Sequence, residues 1–162
     1  MTRRVFFGFH YKRDIWRAGQ VTNSWVTQDR EAAGFWDAAE WEEVQKEGDE
    51  AIKKWIAAQM KGTSVTAVLI GAKTSDRKWV RYEVKKSHED GKGLLGVYIH
   101  KLKDKDGNTD EKGKNHFGVI GQDEDGKNVY FGQLYPTYDW VDDDGYENFG
   151  DWVEKAAKNA GK

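Results

Sequence analysis

No cysteine occurs anywhere in the 162-residue chain, which excludes a disulfide framework and any thiolate metal site. That absence suits a reducing compartment. Long apolar runs are missing as well. A membrane-spanning helix needs about 20 consecutive apolar residues, and no segment comes near it. The N-terminal stretch MTRRVFFGFHYKRD opens with two arginines, but its apolar run is too short and too soon broken for a signal peptide. The expected location is the cytoplasm, away from membranes. Nor is there an excess of either charge: 26 basic and 28 acidic side chains leave a formal net charge of -2. Duplex-binding modules concentrate their basic residues, whereas here Lys and Arg are scattered among Asp and Glu, so nucleic acid is not the expected partner.

Several site signatures are also lacking. No GxGxxG and no GxxxxGKS/T is present, which removes the main support for dehydrogenase and P-loop readings. His10, His88, His100 and His116 show neither HxxxH nor HExxH spacing, so no zinc site is expected. Asp104, Asp106 and Asn108 imitate the start of a calcium loop. That loop needs Gly at its sixth position and Glu at its twelfth, where this chain has Thr109 and Asn115. The Asp142-Asp143-Asp144 run reads as a loop before the last helix. No serine elbow, internal repeat or Pro/Ser-rich linker is visible, and a single domain over 1–162 is expected.

Aromatic residues, in contrast, are plentiful: eight Trp, seven Tyr and seven Phe. Such side chains supply a dense core or a surface that stacks on a flat ring. The elements alternate. VFFGF (Val5 to Phe9) reads as a buried strand, and apolar residues from Asp14 to Trp25 recur at helical spacing. AAGFW (Ala32 to Trp36) is expected as a short strand, and DEAIKKWIAAQMKG as a helix stopped by Gly62. TSVTAVLIG (Thr63 to Gly71) is continuous in apolar residues, as a strand buried on both faces should be. A helix over TSDRKWVRYEVKKSHEDG and a strand over LLGVYIH (Leu94 to His100) follow. This rhythm predicts a parallel sheet with helices on both faces. HFGVIG and NVYFGQL then flank an Asp-Gly turn as a hairpin, and ENFGDWVEKAAKNA closes the chain as an amphipathic helix.

In open parallel sheets ligands bind beyond the carboxyl ends of the strands. Those ends are FHYKRD, GAKTSD and HKLKD, all polar, and the helix after Thr74 starts on the same rim. At about 100° per residue, Val80, Val84 and Ser87 centre its buried face while Trp79 and Glu83 lie together on the flank. A carboxylate at a cleft edge beside a large ring can have a tuned pKa and hold a sugar hydroxyl. The plainer arrangement is a solvated Glu83 paired with Arg81 or Lys86.

Thr74-Ser75, then Trp79 and a Glu four residues later, resembles the Ser…Trp-x-x-x-Glu signature of TIR domains. VFFGFHYKRDIWRAGQVTNSW, VRYEVKKSHEDGKGLLGVYIHKLKD and YDWVDDDGYENFGDWVEKA are similar to the bacterial TIR-like family of Thoeris antiphage proteins, the ThsB type. The resemblance implies an α/β, flavodoxin-like TIR fold: a central, mainly parallel sheet of about five strands, helices on both faces, and a C-terminal hairpin and helix. It implies an enzyme that cleaves NAD+ at the nicotinamide–ribose bond and releases a cyclic ADP-ribose isomer, with NAD+ as substrate and no further cofactor. That messenger would activate a ThsA-type effector, and self-association on phage sensing is implied too. Carried onto this sequence, Glu83 is the catalytic residue, and Ser75 and Trp79 stand around it. Phe9, His10 and Tyr11 would line the loop after the first strand, with Asp14 and Arg17 as ribose and phosphate contacts. Where many TIR domains carry Ser or Asp near the end of the first strand, this chain has Gly8, Phe9 and His10. The alternative is a flavodoxin-like or TIR signalling module acting through protein contacts alone. An acidic receiver pocket is not visible at Phe9-His10 or Gly71-Ala72-Lys73.

Overall fold

Strand β3 (Val65–Ile70) lies at the centre of the molecule, and all six of its residues are buried. The computed structural model describes residues 3–26, 31–33 and 38–162. β3 pairs in parallel with β1 (Arg4–Gly8) on one side and β4 (Gly93–Tyr98) on the other. Beyond β1 lies the short β2 (Glu31–Ala33), and beyond β4 lies β7 (Thr137–Asp139). The sheet therefore runs β2-β1-β3-β4-β7, with every neighbouring pair parallel. This is the flavodoxin-like strand order expected of a doubly wound sheet.

A continuous apolar strand needs cover on both faces, and the helices provide it. On one face α1 (Tyr11–Val26) and α6 (Gly145–Asn159) pack with Val5, Phe7, Val65, Ala67, Leu69 and Val97. On the other, α4 (Lys78–Glu89) brings Val80 and Val84 against Val68, Ile70 and Leu94. Beside it, α3 (Asp49–Met60) sets Ile52, Ile56 and Met60 against Phe6. The antiparallel pair β5 (Val119–Gln122) and β6 (Asn128–Tyr130) forms the expected hairpin, and Phe117, Ile120 and Phe131 extend the α4 side of the core. Among the described residues no helix is long and apolar enough to cross a membrane.

Several boundaries differ from the sequence expectation for local reasons. α1 starts at Tyr11, three residues before Asp14, because the Asp14 amide donates to the His10 carbonyl at 2.9 Å and closes an earlier turn. The segment read as one helix from Thr74 is a 3-10 turn (Thr74–Asp76) followed by α4. Arg77 between them is extended, at φ -82° and ψ 121°. Phe131–Leu134, expected at the end of the hairpin's second strand, is a one-turn helix, α5. Helix α2 (Ala38–Glu47) falls where only a polar stretch was expected. β7 carries three residues just after Pro136, too few for an alternation signal, and edge position is where a neighbouring proline is tolerated. Of the strand expected at Ala32 to Trp36, Ala32 and Ala33 lie in β2, and positions 34–36 are outside the described residues.

Leu69 is fully buried in the middle of this sheet. Leu69→Ala should cost about 2–5 kcal/mol, transfer and cavity together. In urea the midpoint should fall with an unchanged slope; a loss under about 0.5 kcal/mol would contradict close packing at β3.

Candidate active site

Side chains on a strand alternate between faces, and this decides what meets what at the end of β1. Val5 and Phe7 point into the α1/α6 side, while Phe6 points to the α3/α4 side. Gly8 shares the direction of Phe6, and there it meets Glu83. A β-carbon on Gly8 would stand 3.2 Å from Glu83 Oε2, tighter than ordinary contact. Glycine at this position lets the carboxylate of α4 lie directly on the carboxyl end of the first strand.

Three contacts hold α4 in that position. Val80 and Val84 are buried against β3 and β4. One turn further on, Ser87 Oγ lies 2.7 Å from Thr66 Oγ1 of β3 in a buried hydroxyl pair. On the flank, Trp79 and Tyr82 meet edge to face at 5.5 Å and pack on Phe6, Ile52, Ile56 and Met60. Glu83 is caught between the two apolar stripes and is 7% exposed. Among the described residues nothing donates a hydrogen bond to its carboxylate, and no cation lies near enough to hold it ionised. Burial alone raises its pKa well above the usual carboxylate value. The solvated pair with Arg81 or Lys86 is not what forms: Arg81 Nε donates to the Ser75 carbonyl at 2.6 Å, and Lys86 pairs with Asp90.

The turn before α4 is fixed from the opposite face of the sheet. Thr74 is fully buried, and its Oγ1 accepts from the Gly71 amide at 2.8 Å and donates to Asp14 Oδ2 at 3.5 Å. Asp14 is buried so close to Gly71 that any β-carbon there would collide with its carboxylate. Burial is the main cause that lifts the Asp14 pKa to about 6, against the opposing charges of Arg13 and Arg17. Thus two glycines at adjacent strand ends, Gly8 and Gly71, each admit a buried carboxylate, from opposite sides of the sheet.

The remaining candidates divide along the same line. Ser75 is 5% exposed, and its hydroxyl is bonded to none of the described residues. Phe9 is buried in the α1/α6 core, on the face away from Glu83. Tyr11 packs against the clusters of both faces and caps the strand end. His10 is half-buried and its Nδ1 accepts from the Arg13 amide at 3.4 Å. Burial, and then the charge of Arg77, hold its imidazole below the ordinary pKa. Arg17 is turned inward: its Nε donates to the Leu102 carbonyl and its Nη2 to the Asn108 carbonyl, both at 2.8 Å. Asp14, Asp104 and Asp110 surround it at 3.6–3.8 Å. Sequence reasoning gave no role to Gly8 or Gly71, and named Thr74 only as part of the motif before α4. The usable signal was a glycine just at or beyond the end of two apolar strands. Among the described residues no three His, Asp or Glu side chains converge to hold a metal.

A cavity of about 330 Å³ lies at the opposite ends of the strands, lined by Lys92, Leu94, Tyr135, Pro136 and Ala156. Its ionisable groups are already engaged. Lys92 Nζ donates to the Met60 and Thr63 carbonyls, and the Tyr135 hydroxyl pairs with His88. The unpartnered acid lies at the carboxyl ends, where this fold class binds ligands.

Residues 6–104 match the family model described as "Thoeris protein ThsB, TIR-like domain". The chain belongs to the Thoeris ThsB TIR-like family. That match contains Gly8, Asp14, Ser75, Trp79 and Glu83, and ends in the loop that Arg17 holds. A Bacillus cereus (strain MSX-D12) protein named "Putative cyclic ADP-D-ribose synthase ThsB1" is 38% identical over 191 aligned positions. The alignment takes in 94% of this chain and all of that relative, so the similarity continues past the family match into the hairpin and α6.

Asp14 gives this ThsB-family chain a measurable pH signature. A carboxyl raised from 3.8 to about 6 in the folded state is protonated more readily there than in the unfolded chain. Its contribution is therefore greatest at low pH and is lost as pH rises through about 6. Asp14→Asn should gain on the wild type between pH 4 and 7, by up to about 3 kcal/mol. Urea midpoints of both proteins across that range provide the check; a difference that does not change with pH would contradict the shift.

Proposed function

We propose that the chain is a TIR-type enzyme that cleaves NAD+ at the nicotinamide–ribose bond and closes the remaining ADP-ribose into a cyclic isomer. The observation that carries this reading is Glu83, a buried acid without a hydrogen-bond partner among the described residues, at the strand ends. The printed name of the Bacillus cereus relative supports the same product class. On this reading the cyclic product is an antiphage signal read by a ThsA-type effector, and the chain self-associates on phage sensing.

The chemistry suits that acid. The nicotinamide ring of NAD+ is already cationic, so the C1′–N bond breaks with its electron pair leaving on a neutral nicotinamide, and no general acid is needed. Positive charge then develops on the ribosyl carbon and ring oxygen. Glu83 holds the ribose hydroxyls and, once ionised, faces that charge in a dry site where electrostatic interactions are strong. Entry of the cationic ring itself favours the ionised form of a carboxyl whose pKa burial raises. An adenine ring nitrogen or a hydroxyl of the same molecule captures the cation and completes the cycle, while capture by water gives linear ADP-ribose. Excluding water therefore favours cyclisation.

Around Glu83, Trp79 and Tyr82 form the apolar wall, while Tyr11 and His10 line the rim at the end of β1. Ser75 offers a free hydroxyl at the start of α4. Phe9 supports this rim from the core behind it. Asp14 and Arg17 act one layer back: Asp14 fixes Thr74, and Arg17 ties the 102–110 loop to α1.

Glu83→Gln preserves shape and removes the charge. Nicotinamide release from NAD+ by concentrated protein, followed by liquid chromatography and mass spectrometry, should fall at least about 100-fold. The fold should be unchanged, since the amide buries no more surface. Full turnover by this variant would remove Glu83 from the mechanism. A folded wild type silent both alone and in infected-cell lysate would favour a module acting through protein contacts.

A further inference from the structure

We propose that Arg77 is the anchor for the diphosphate of the dinucleotide, a role that rests on the NAD-cleaving reading above. The sequence offered Arg17 for that contact, but the guanidinium of Arg17 is committed to backbone carbonyls and three carboxylates inside the protein. A dinucleotide substrate still brings two negative charges. The first phosphate is attached to the same ribose that Glu83 must hold, so the anion subsite lies one sugar ring away from Glu83.

Arg77 meets that requirement. It precedes Glu83 by six residues, at the N-cap of α4, roughly 9 Å back along the helix axis. Its backbone is fixed: the amide donates to the Thr74 carbonyl at 3.1 Å and the carbonyl accepts from the Arg81 amide at 3.0 Å. Its side chain is exposed and, among the described residues, engages in no ion pair or hydrogen bond. Two neighbouring cations are already paired, Arg13 with Asp110 at 2.7 Å and Lys78 with Asp49 at 2.5 Å.

Arg77 also lies near the correct strand end. Its charge, with those of Arg13 and Lys12, opposes protonation of His10, two residues beyond the Gly8 that touches Glu83. The first turn of α4 carries no acidic residue and no side-chain cap, and the buried hydroxyl of Ser75 two residues earlier is bonded to none of the described residues. A helix start without a side-chain cap, the Ser75 hydroxyl in the preceding turn and the Arg77 guanidinium at the N-cap are groups that phosphate oxygens can engage.

Three ligands test the assignment by calorimetry on the intact chain: ADP-ribose, inorganic diphosphate and nicotinamide riboside, which has the reacting ribose but no phosphate. Arg77→Gln should weaken ADP-ribose and diphosphate binding about 10-fold or more and reduce its dependence on salt. Nicotinamide riboside should bind within about 2-fold of the wild type, and Arg77→Lys should recover part of the loss, because ammonium keeps the charge but not the fork. Unchanged ADP-ribose affinity in Arg77→Gln overturns the proposal, as does a wild type that binds neither phosphate ligand, or an equal loss for nicotinamide riboside. Turnover separates the two readings. If wild type never releases nicotinamide but Arg77→Gln still loses ADP-ribose, the catalytic reading fails and the anchor stands. If wild type turns over NAD+ and the variant keeps its affinity, the anchor alone fails.

Discussion

The placement of the Glu83 carboxylate beside Gly8, where a β-carbon would stand 3.2 Å from Oε2, organises this end of the molecule. Removing a carboxyl from water without a partner is costly, and such a group is retained in its neutral form. The fold holds it there through interactions that do not involve the acid itself. Val80 and Val84 on one side and Trp79 and Tyr82 on the other seat α4. The Thr66–Ser87 hydroxyl pair sets its height along β3. With that frame in place, the acid cannot turn to Arg81 or Lys86, whose own partners lie elsewhere. The cost of burial is thus met by surrounding packing.

A second buried carboxylate works behind the sheet. Asp14 reaches the edge at Gly71, holds Thr74, and through Thr74 fixes the turn from which α4 begins. Arg17 lies beside it and binds the 102–110 loop to α1 through two carbonyls and a group of acids. The two carboxylates therefore divide the work by sheet face. Glu83 lies on the α3/α4 side, and Asp14 with Arg17 braces the strand end and the 102–110 loop from the other.

Much of this was legible before any coordinates. β3 announces itself because a strand covered on both faces must be apolar throughout, and α4 because its buried stripe repeats at helical spacing. The position of Glu83 on the flank of that stripe followed from the same arithmetic. What sequence could not show was direction at the strand end. Phe9, His10 and Tyr11 are consecutive and look equally suited to a ligand, yet alternation sends Phe9 into the far core and leaves Tyr11 to span both sides. Arg17 is a guanidinium suited to phosphate by type alone, and only tertiary folding brings the Leu102 and Asn108 carbonyls to it. β7 was too short, and too near Pro136, to register as a strand.

One electrostatic feature underlies the site: Glu83 is an acid, unpartnered among the described residues, whose pKa burial raises well above the usual carboxylate value. Its most direct test is a titration of side-chain carboxyl carbons by NMR on glutamate-labelled protein, with the Glu83 resonance assigned by its loss in Glu83→Gln. The account requires a midpoint clearly above the ordinary 4.5, moving downward when a nicotinamide-bearing cation binds. A midpoint at or below the ordinary value would mean that the carboxylate is solvated or paired, and the buried acid at the end of β1 would no longer explain the site.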